Sequence, residues 1–364
     1  MKERRIIALL GRRDEPTDAV EEYCRYLGGA LRAHGFEMEL ARVAWAELGW
    51  PAALRELRQK AGAWRGQWML LQYTALAWSE RGFPLRFLRV MSVLRDSGVR
   101  VAVVYHDVEP YAGVRVIDRM RRRVQIHTMR GAVLDSEVAI FTIPTEKISW
   151  GPASRKGDVF IPVGANIPVA VAAENASEKS DVVDGIPTAV VFGITGGDAG
   201  VEETSRIIEA VRFAVTRVGK MRLVVLGRNS ESAETSLRKA LGDVPVEIQV
   251  HGVVAAEQVA GLLLASDVLV FVRGAISSRR GSAIAGIACG LPVIAWSSAE
   301  TAAPITDAGV VLISSEDRAQ LGEALARVLG DRAYRAALAE RSRKAHRESF
   351  AWPAIAARYA EFLG

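Results

Sequence analysis

The sequence predicts an α/β protein of two Rossmann-like domains, each a parallel sheet covered by helices, facing one another across a cleft. Three observations carry this expectation. The chain has 364 residues, more than a single hydrophobic core usually serves and enough for two domains. Short apolar runs alternate with amphipathic helical stretches almost from end to end, the pattern of parallel sheets buried on both faces. The series of strand-like runs also starts twice, once near Arg5 and again after residue 186.

Taken in order, Arg5–Leu10, Glu37–Val43, Trp68–Gln72, Val99–Tyr105, Val138–Thr142 and Val159–Pro162 read as the strands of the first series. Helices fall between them, notably Ala19–His34 and Leu85–Ser97. The opening MKERRIIALLG has an apolar run of only about five residues before Gly11 and Arg12, so it reads as a first strand and not as a signal peptide. The second series is Thr188–Phe192, Met221–Leu226, Val246–Val250, Val268–Val272, Pro292–Ala295 and Gly309–Leu312. Between the two, residues 166–187 (NIPVAVAAENASEKSDVVDGIP) sustain neither period and have a polar middle, as expected of a linker. The expected domains are therefore 1–165 and 188–348. Residues 349–364 follow as a helix, with Phe350, Ile355, Tyr359 and Phe362 at helical spacing, packing back on the first domain.

Half of the residues are hydrophobic and 24% are charged, an ordinary globular composition. The net charge of +5 arises from 47 basic and 42 acidic residues, far milder than a dedicated nucleic-acid binder shows. It suits anionic small ligands or an anionic membrane surface. Cys24 and Cys289 are the only cysteines and belong to no Cys-x-x-Cys or Cys/His cluster, which argues against a disulfide scaffold or structural zinc and for a reducing cytoplasm. No run reaches the roughly 18 apolar residues of a membrane span. No His-Glu-x-x-His, Walker lysine loop or Gly-x-Ser-x-Gly elbow occurs, which removes metalloprotease, nucleoside triphosphatase and serine hydrolase.

The stretch RGAISSRRGSAIAGIACGLPVIAWSS, residues 273–298, places two arginines where a strand and loop turn into a helix. Such a helix start has unpaired N–H groups and a partial positive charge, and it holds anions. Arg279 and Arg280 add fork-shaped donors suited to a diphosphate, with Gly281 and Ser282 at the helix start. The alternative is two solvated arginines with Ser277 or Ser278 as a plain cap. GITGGDAG, with Gly193, Gly196 and Gly197 after a strand, serves either as a tight turn or as a phosphate or sugar contact. His106 and Asp107 stand just beyond a strand, where side chains reach a cleft and take part in proton transfer, or where a structural His simply packs. The loop Gly11-Arg12-Arg13 after the first strand lines the cleft with charge or is solvated. Six arginines in Arg115–Arg130, with Val116, Met120 and Val124 at helical spacing, lie either on an anionic membrane or on a solvated helix face. Trp64, Trp68, Tyr73 and Trp78 either extend that interfacial patch or pack in the core.

In order along the chain, DAVEEYCRYLGGALRAHG, VVYHD, FIPVGANIP, RLVVLGR, VEIQVHGVV, ASDVLVFV and IAGIACGLPVIAW resemble the retaining family-4 glycosyltransferases of the GT-B fold over nearly the whole length. The resemblance implies transfer of a sugar from a nucleotide diphosphate sugar to a glycan or lipid-linked acceptor, with retention, without metal or other cofactor. It suggests cell-surface or exopolysaccharide synthesis at the cytoplasmic membrane face. By position it implies that Arg279–Ser282, with Arg228 and Gly193, meet the diphosphate. His106, with Asp107 beside it, would face the donor sugar, and Gly11, Arg12 and Arg13 the acceptor side. Val250 and Gly252 would flank the nucleobase, with Gly196 and Gly197 also on the donor. Two glutamates eight positions apart are usual in this family; here Ser277 and Ala285 stand in their places. That departure motivates a second reading, a non-catalytic relative that binds a nucleotide, glycan or partner protein. A third is a sugar-nucleotide epimerase of the same fold.

Overall fold

The computed structural model describes residues 4–15, 17–151, 155, 157–169, 185–314, 317 and 319–364. The chain divides into two compact units, Met1–Pro162 with Trp352–Gly364, and Val163–Ala351. The middle of the expected linker, residues 170–184, lies outside the described residues.

The first unit is a six-stranded parallel sheet in the order β2-β1-β3-β4-β5-β6. Its strands are β1 (Arg4–Leu10), β2 (Phe36–Arg42), β3 (Trp68–Tyr73), β4 (Arg100–Tyr105), β5 (Val138–Phe141) and β6 (Val159–Phe160). Ile6–Leu10 are buried without a break, because a parallel strand covered on both faces has no polar side to alternate with. Its helices include α1 (Ala19–Leu31), α2 (Trp45–Leu48), α3 (Trp50–Ala61), α4 (Arg86–Asp96) and α5 (Val116–Asp135). Asp18 caps α1 by accepting the N–H groups of Val20 and Glu21. The first helix is shorter than the periodicity predicts, since Arg32–His34 tighten into a 3₁₀ turn before Gly35.

The tryptophan-rich stretch is core and not an interfacial patch. Trp64, Trp68, Tyr73 and Trp78 are all buried, with Trp78 Nε1 donating to Gln72 O at 2.8 Å. The chain's last helix belongs to this unit too. Tyr359 hydrogen-bonds Tyr23 of α1 at 2.8 Å in a buried contact, and Trp352 stacks on Tyr26.

The second unit is again six parallel strands, in the order β12-β11-β10-β7-β8-β9. They are β7 (Thr188–Phe192), β8 (Met221–Leu226), β9 (Val246–Val250), β10 (Val268–Ala275), β11 (Val293–Trp296) and β12 (Val310–Ile313). Helices α6 (Asp198–Val218), α7 (Ser230–Leu241), α8 (Ala256–Leu264), α9 (Gly281–Ala288), α10 (Ala319–Gly330) and α11 (Arg332–Ala345) cover it, and α12 (Trp352–Leu363) is the helix already placed in the first unit. Within α9, the place of Gly286 lets the helix settle on β10, since a methyl there would come 2.5 Å from Leu269 Cδ2. β10 runs three residues beyond the Val272 expected from the apolar pattern. Its pairing with β11 slips between Phe271 and Ala275, leaving a bulge that carries Arg273 and Gly274.

Candidate functional site

In a doubly wound parallel sheet, ligands lodge where the strand order reverses, because the loops there part in opposite directions. In the second unit that point lies between β7 and β10. The loops at their carboxyl ends are residues 193–197 and 273–280, which the sequence singled out independently. The bulge turns at Gly274, whose φ of 71° is a left-handed conformation that a side chain strains. The Arg280 guanidinium lies close by, its Nη2 3.7 Å from where a Cβ on Gly274 would stand, an ordinary contact distance. Across the reversal, Arg273 lies over Gly193, and a methyl on that buried glycine would come 3.2 Å from Arg273 Nη1.

From this loop α9 starts with no side-chain cap. The Arg280 carbonyl accepts the N–H groups of Ala283 and Ile284 at 3.0 Å each. The amides of Gly281 and Ser282 precede any intrahelical partner and remain as outward donors. The start of α9 thus has free backbone donors with the Arg280 guanidinium beside it.

One pairing was not foreseen. Arg279 grips Glu300 with two bonds, Nε to Oε2 at 2.9 Å and Nη2 to Oε1 at 3.1 Å, and both side chains are largely shielded. Burial opposes ionisation of Glu300, but the hydrogen bond and charge of Arg279, then the charge of Arg280 and the hydroxyl of Ser277, outweigh it and hold the carboxyl below its usual range. Arg279 therefore faces a carboxylate where the sequence reading gave it to a diphosphate. Glu300 comes from the loop after β11, and its one sequence signal was its place just past the carboxyl end of that strand. Ser277 and Ala285, the positions lacking the family's glutamates, are 0% and 2% exposed. The Ala285 methyl is packed in the core.

Neighbouring loops are tied down. Thr195 gives both its N–H and its hydroxyl to Glu203 at 2.7 Å, fixing the segment that carries Gly196 and Gly197, both exposed. Ile194 exchanges hydrogen bonds with the next loop, donating its N–H to Arg228 O at 3.0 Å and accepting from Asn229 Nδ2 at 2.9 Å. Arg228 is half-buried there. At the end of β9, Val250 is half-buried, and just beyond it Gly252 is buried beneath the Glu231 carboxylate, where a Cβ would meet Oε1 at 2.8 Å. Between them in sequence, His251 has its Nε2 buried with no hydrogen-bond partner. Glu231 and His251 were both missed by sequence reading, for neither belongs to a motif.

In the first unit the strand order reverses between β1 and β3. Gly11 is there, yet it is buried, and a methyl on it would come 2.3 Å from Ala77 O. Arg12 N–H and Trp45 Nε1 donate to that same carbonyl, each at 2.8 Å. The glycine, expected on the acceptor side, here permits the close crossing of two loops. Gly11→Ala is accordingly expected to cost about 1–3 kcal/mol in overpacking, read as a lowered midpoint in urea unfolding; an unchanged midpoint refutes this. Arg12 is half-buried and Arg13 exposed, within 3.9 Å of Glu15.

His106 follows β4 and meets Gln72 of β3, Nε2 to Oε1 at 2.8 Å. The Gln72 amide nitrogen donates to Leu70 O at 3.0 Å, and a carbonyl only accepts, so the oxygen is the atom left to face His106. His106 must then donate from Nε2, which in the neutral ring makes Nδ1 an acceptor. The ring is neutral because burial pushes its pKa down to about 4, against the weaker pull of the Asp18 charge. The Tyr23 ring packs edge-on at 4.9 Å. Asp107 is different: its Oδ2 accepts the Ala75 N–H at 2.9 Å, pinning the loop after β3. Asp107, expected beside His106 at the donor, thus supports this loop.

Residues 190–331 match the family described as "Glycosyl transferases group 1". This stretch is a glycosyl transferase group 1 domain. It is the domain of a transferase enzyme and contains β10, the arginine loop, α9 and Glu300. The likeness of fold extends beyond this stretch. A sucrose-phosphate synthase from Thermosynechococcus elongatus is similar at 20% identity over 99% of this chain and 98% of that one, with a TM-score of 0.71. HepE of Anabaena, in complex with UDP and glucose, is 14% identical over 99% of both chains, with a TM-score of 0.67. WaaG, a glycosyltransferase involved in lipopolysaccharide biosynthesis, is 16% identical over 98% and 99%, with a TM-score of 0.63. At these identities the likeness is one of architecture, and the architecture is GT-B. No curated protein matches the chain in sequence.

Proposed function

We propose that this glycosyltransferase moves a sugar from a nucleoside-diphosphate sugar to a glycan or lipid-linked acceptor, with retained configuration and no bound metal, in cell-surface or exopolysaccharide synthesis on the cytoplasmic side. The observation that carries the reading is the uncapped start of α9 at the strand reversal, with Arg280 at its head and Arg273 over Gly193 across the reversal. Helix-start amides and guanidinium forks both favour the charge that builds on a departing diphosphate, the task a divalent ion performs in other designs. Gly281 and Ser282 amides, Arg280 and Arg273 would hold the phosphates. Arg279 would act through Glu300, positioning that carboxylate near the arginine loop in the absence of the usual glutamates. Val250, His251 and Gly252 would border the nucleoside, and neutral His106 would accept a bond from a sugar hydroxyl.

The acceptor oxygen would bond to the anomeric carbon on the face from which the diphosphate departs. The carbon–phosphate-oxygen bond breaks, and the leaving phosphate oxygen takes the acceptor proton. HepE with bound UDP and glucose, and the lipopolysaccharide role of WaaG, support this choice of donor and acceptor classes.

A panel of uridine and guanosine diphosphate sugars, followed by NMR with oligosaccharide and lipid-linked acceptors, tests the reaction. One donor is expected to be consumed with its anomeric configuration kept, at a rate unchanged by EDTA. Binding of UDP or GDP without consumption of any donor would favour the non-catalytic reading motivated by Ser277 and Ala285. Loss of activity in EDTA, restored by a divalent ion, would refute metal independence.

A further inference from the structure

Glu231 has no part in the proposed transfer. It stands in the first turn of α7, just past the loop that follows β8, exposed and with its carboxylate folded back over Gly252. Acids near it in the fold are engaged, Glu203 by Thr195 and Glu247 by Arg222, whereas no hydrogen bond or ion pair of Glu231 occurs among the described residues. At the same turn His251 keeps a buried Nε2 without a partner, and Val253 is 51% exposed. A buried polar atom left without a bond is costly, and a ligand that supplied the bond would remove the cost.

The turn is held in place. His251 N–H donates to Val225 O at 2.9 Å, and Gly227 N–H donates to Gly252 O. Ser230 Oγ donates to Gly227 O at 2.8 Å. The strand order β10-β7-β8-β9 sets the ends of β8 and β9 one and two strands beyond the reversal, about 5 and 10 Å along the sheet edge. A nucleoside diphosphate with its phosphates at the reversal would reach this turn with its base, the ribose lying between.

We propose that Glu231 selects guanine, so that the donor is a guanosine diphosphate sugar; this rests on the donor reading of the α9 start. An ionised carboxylate only accepts hydrogen bonds, and its two oxygens suit two adjacent donors. Guanine alone among the bases presents such a pair, N1–H beside the 2-amino group. Uracil offers one N–H between two carbonyls, which repel a carboxylate. Adenine and cytosine each set a ring-nitrogen acceptor beside their amino group. The O6 carbonyl next to guanine N1–H then gives the unpaired His251 nitrogen an acceptor, in the tautomer that protonates Nε2, and Val253 gives the ring an apolar neighbour.

Calorimetric titration of the full chain with GDP, IDP, UDP and ADP tests the proposal. GDP is expected to bind about 100-fold tighter than UDP or ADP and about tenfold tighter than IDP, which lacks the 2-amino group. Glu231→Gln keeps the shape but turns an amide N–H group towards the guanine donors. It should weaken GDP roughly tenfold or more and leave UDP nearly unchanged, with the thermal midpoint unmoved because the side chain is exposed. Arg280→Ala should instead weaken GDP and UDP alike and keep their ratio. UDP binding as tightly as GDP overturns the base assignment and leaves the donor site standing. So does a Glu231→Gln protein that loses GDP and UDP equally, the result of a ribose contact. Binding of none of the four overturns the donor reading and the base assignment together.

Discussion

Arg280→Ala is expected to lower kcat/KM for the nucleotide-sugar donor about 100-fold and to weaken UDP or GDP binding, with the thermal midpoint nearly unchanged. A charged hydrogen bond is worth about 1.5–3 kcal/mol, and a donor aimed at charge that develops in the transition state contributes about 2.7–4 kcal/mol. The guanidinium is only partly buried beside the bulge at Gly274, so removing it opens no cavity in the core. Arg280→Lys should recover part of the loss, since an ammonium restores charge but not the two-pronged geometry that fits a phosphate. Calorimetric titration with the nucleoside diphosphate separates the outcomes. An unchanged Kd in Arg280→Ala would remove this side chain from the donor site.

The second large effect concerns Gln72, which acts through His106. In the unaltered protein the imidazole loses its proton near pH 4 and should contribute no inflection to the rate at neutral pH. In Gln72→Glu a carboxylate faces Nε2 and favours the imidazolium, which raises the His106 pKa. Below that new value Nδ1 carries a proton and can no longer accept a bond from a sugar hydroxyl. The rate is expected to fall tenfold or more on the acid side and to recover as pH rises. Gln72→Met, which removes the bond without adding charge, should lower kcat across the whole range with no new inflection. A Gln72→Glu profile that superimposes on the original would dismiss Gln72 as the residue that sets the state of His106.

The same lowered pKa also governs stability. As pH falls from the ordinary histidine value of 6.5 towards 4, the unfolded chain takes up the proton first, so stability declines through that window by at most about 3 kcal/mol. Urea unfolding at pH 7 and pH 4.5 would show it, and His106→Ala should lessen the difference.

Much of this was legible in the chain because parallel strands buried on two faces must be continuously apolar. Ile6–Leu10 and Val268–Val272 announce themselves in any frame. The arginine loop was legible for a related reason: a strand, a polar turn with Arg279 and Arg280, and a helix rich in Ala and Gly form one contiguous unit whose N–H groups must point outward. The packing of Gly11 was not legible, because a glycine after a first strand suits both a ligand and a tight crossing of two loops. Its neighbour in that crossing, Ala77, is remote in sequence. The bond between Asp107 and the Ala75 backbone was hidden in the same manner.

What the sequence by itself determined was the double parallel-sheet architecture, the place where the strand series restarts, and the uncapped helix start after the arginine loop, since each depends on periodicity or on groups a few residues apart. Only the tertiary structure decided that Arg279 grips Glu300 from the loop after β11, that Gln72 fixes the proton of His106, and that Glu231 folds back over Gly252. These depend on distance and burial between segments far apart in the chain. Hydrogen bonds and desolvation act over a few ångströms in space, and the chain's order carries no record of that spacing.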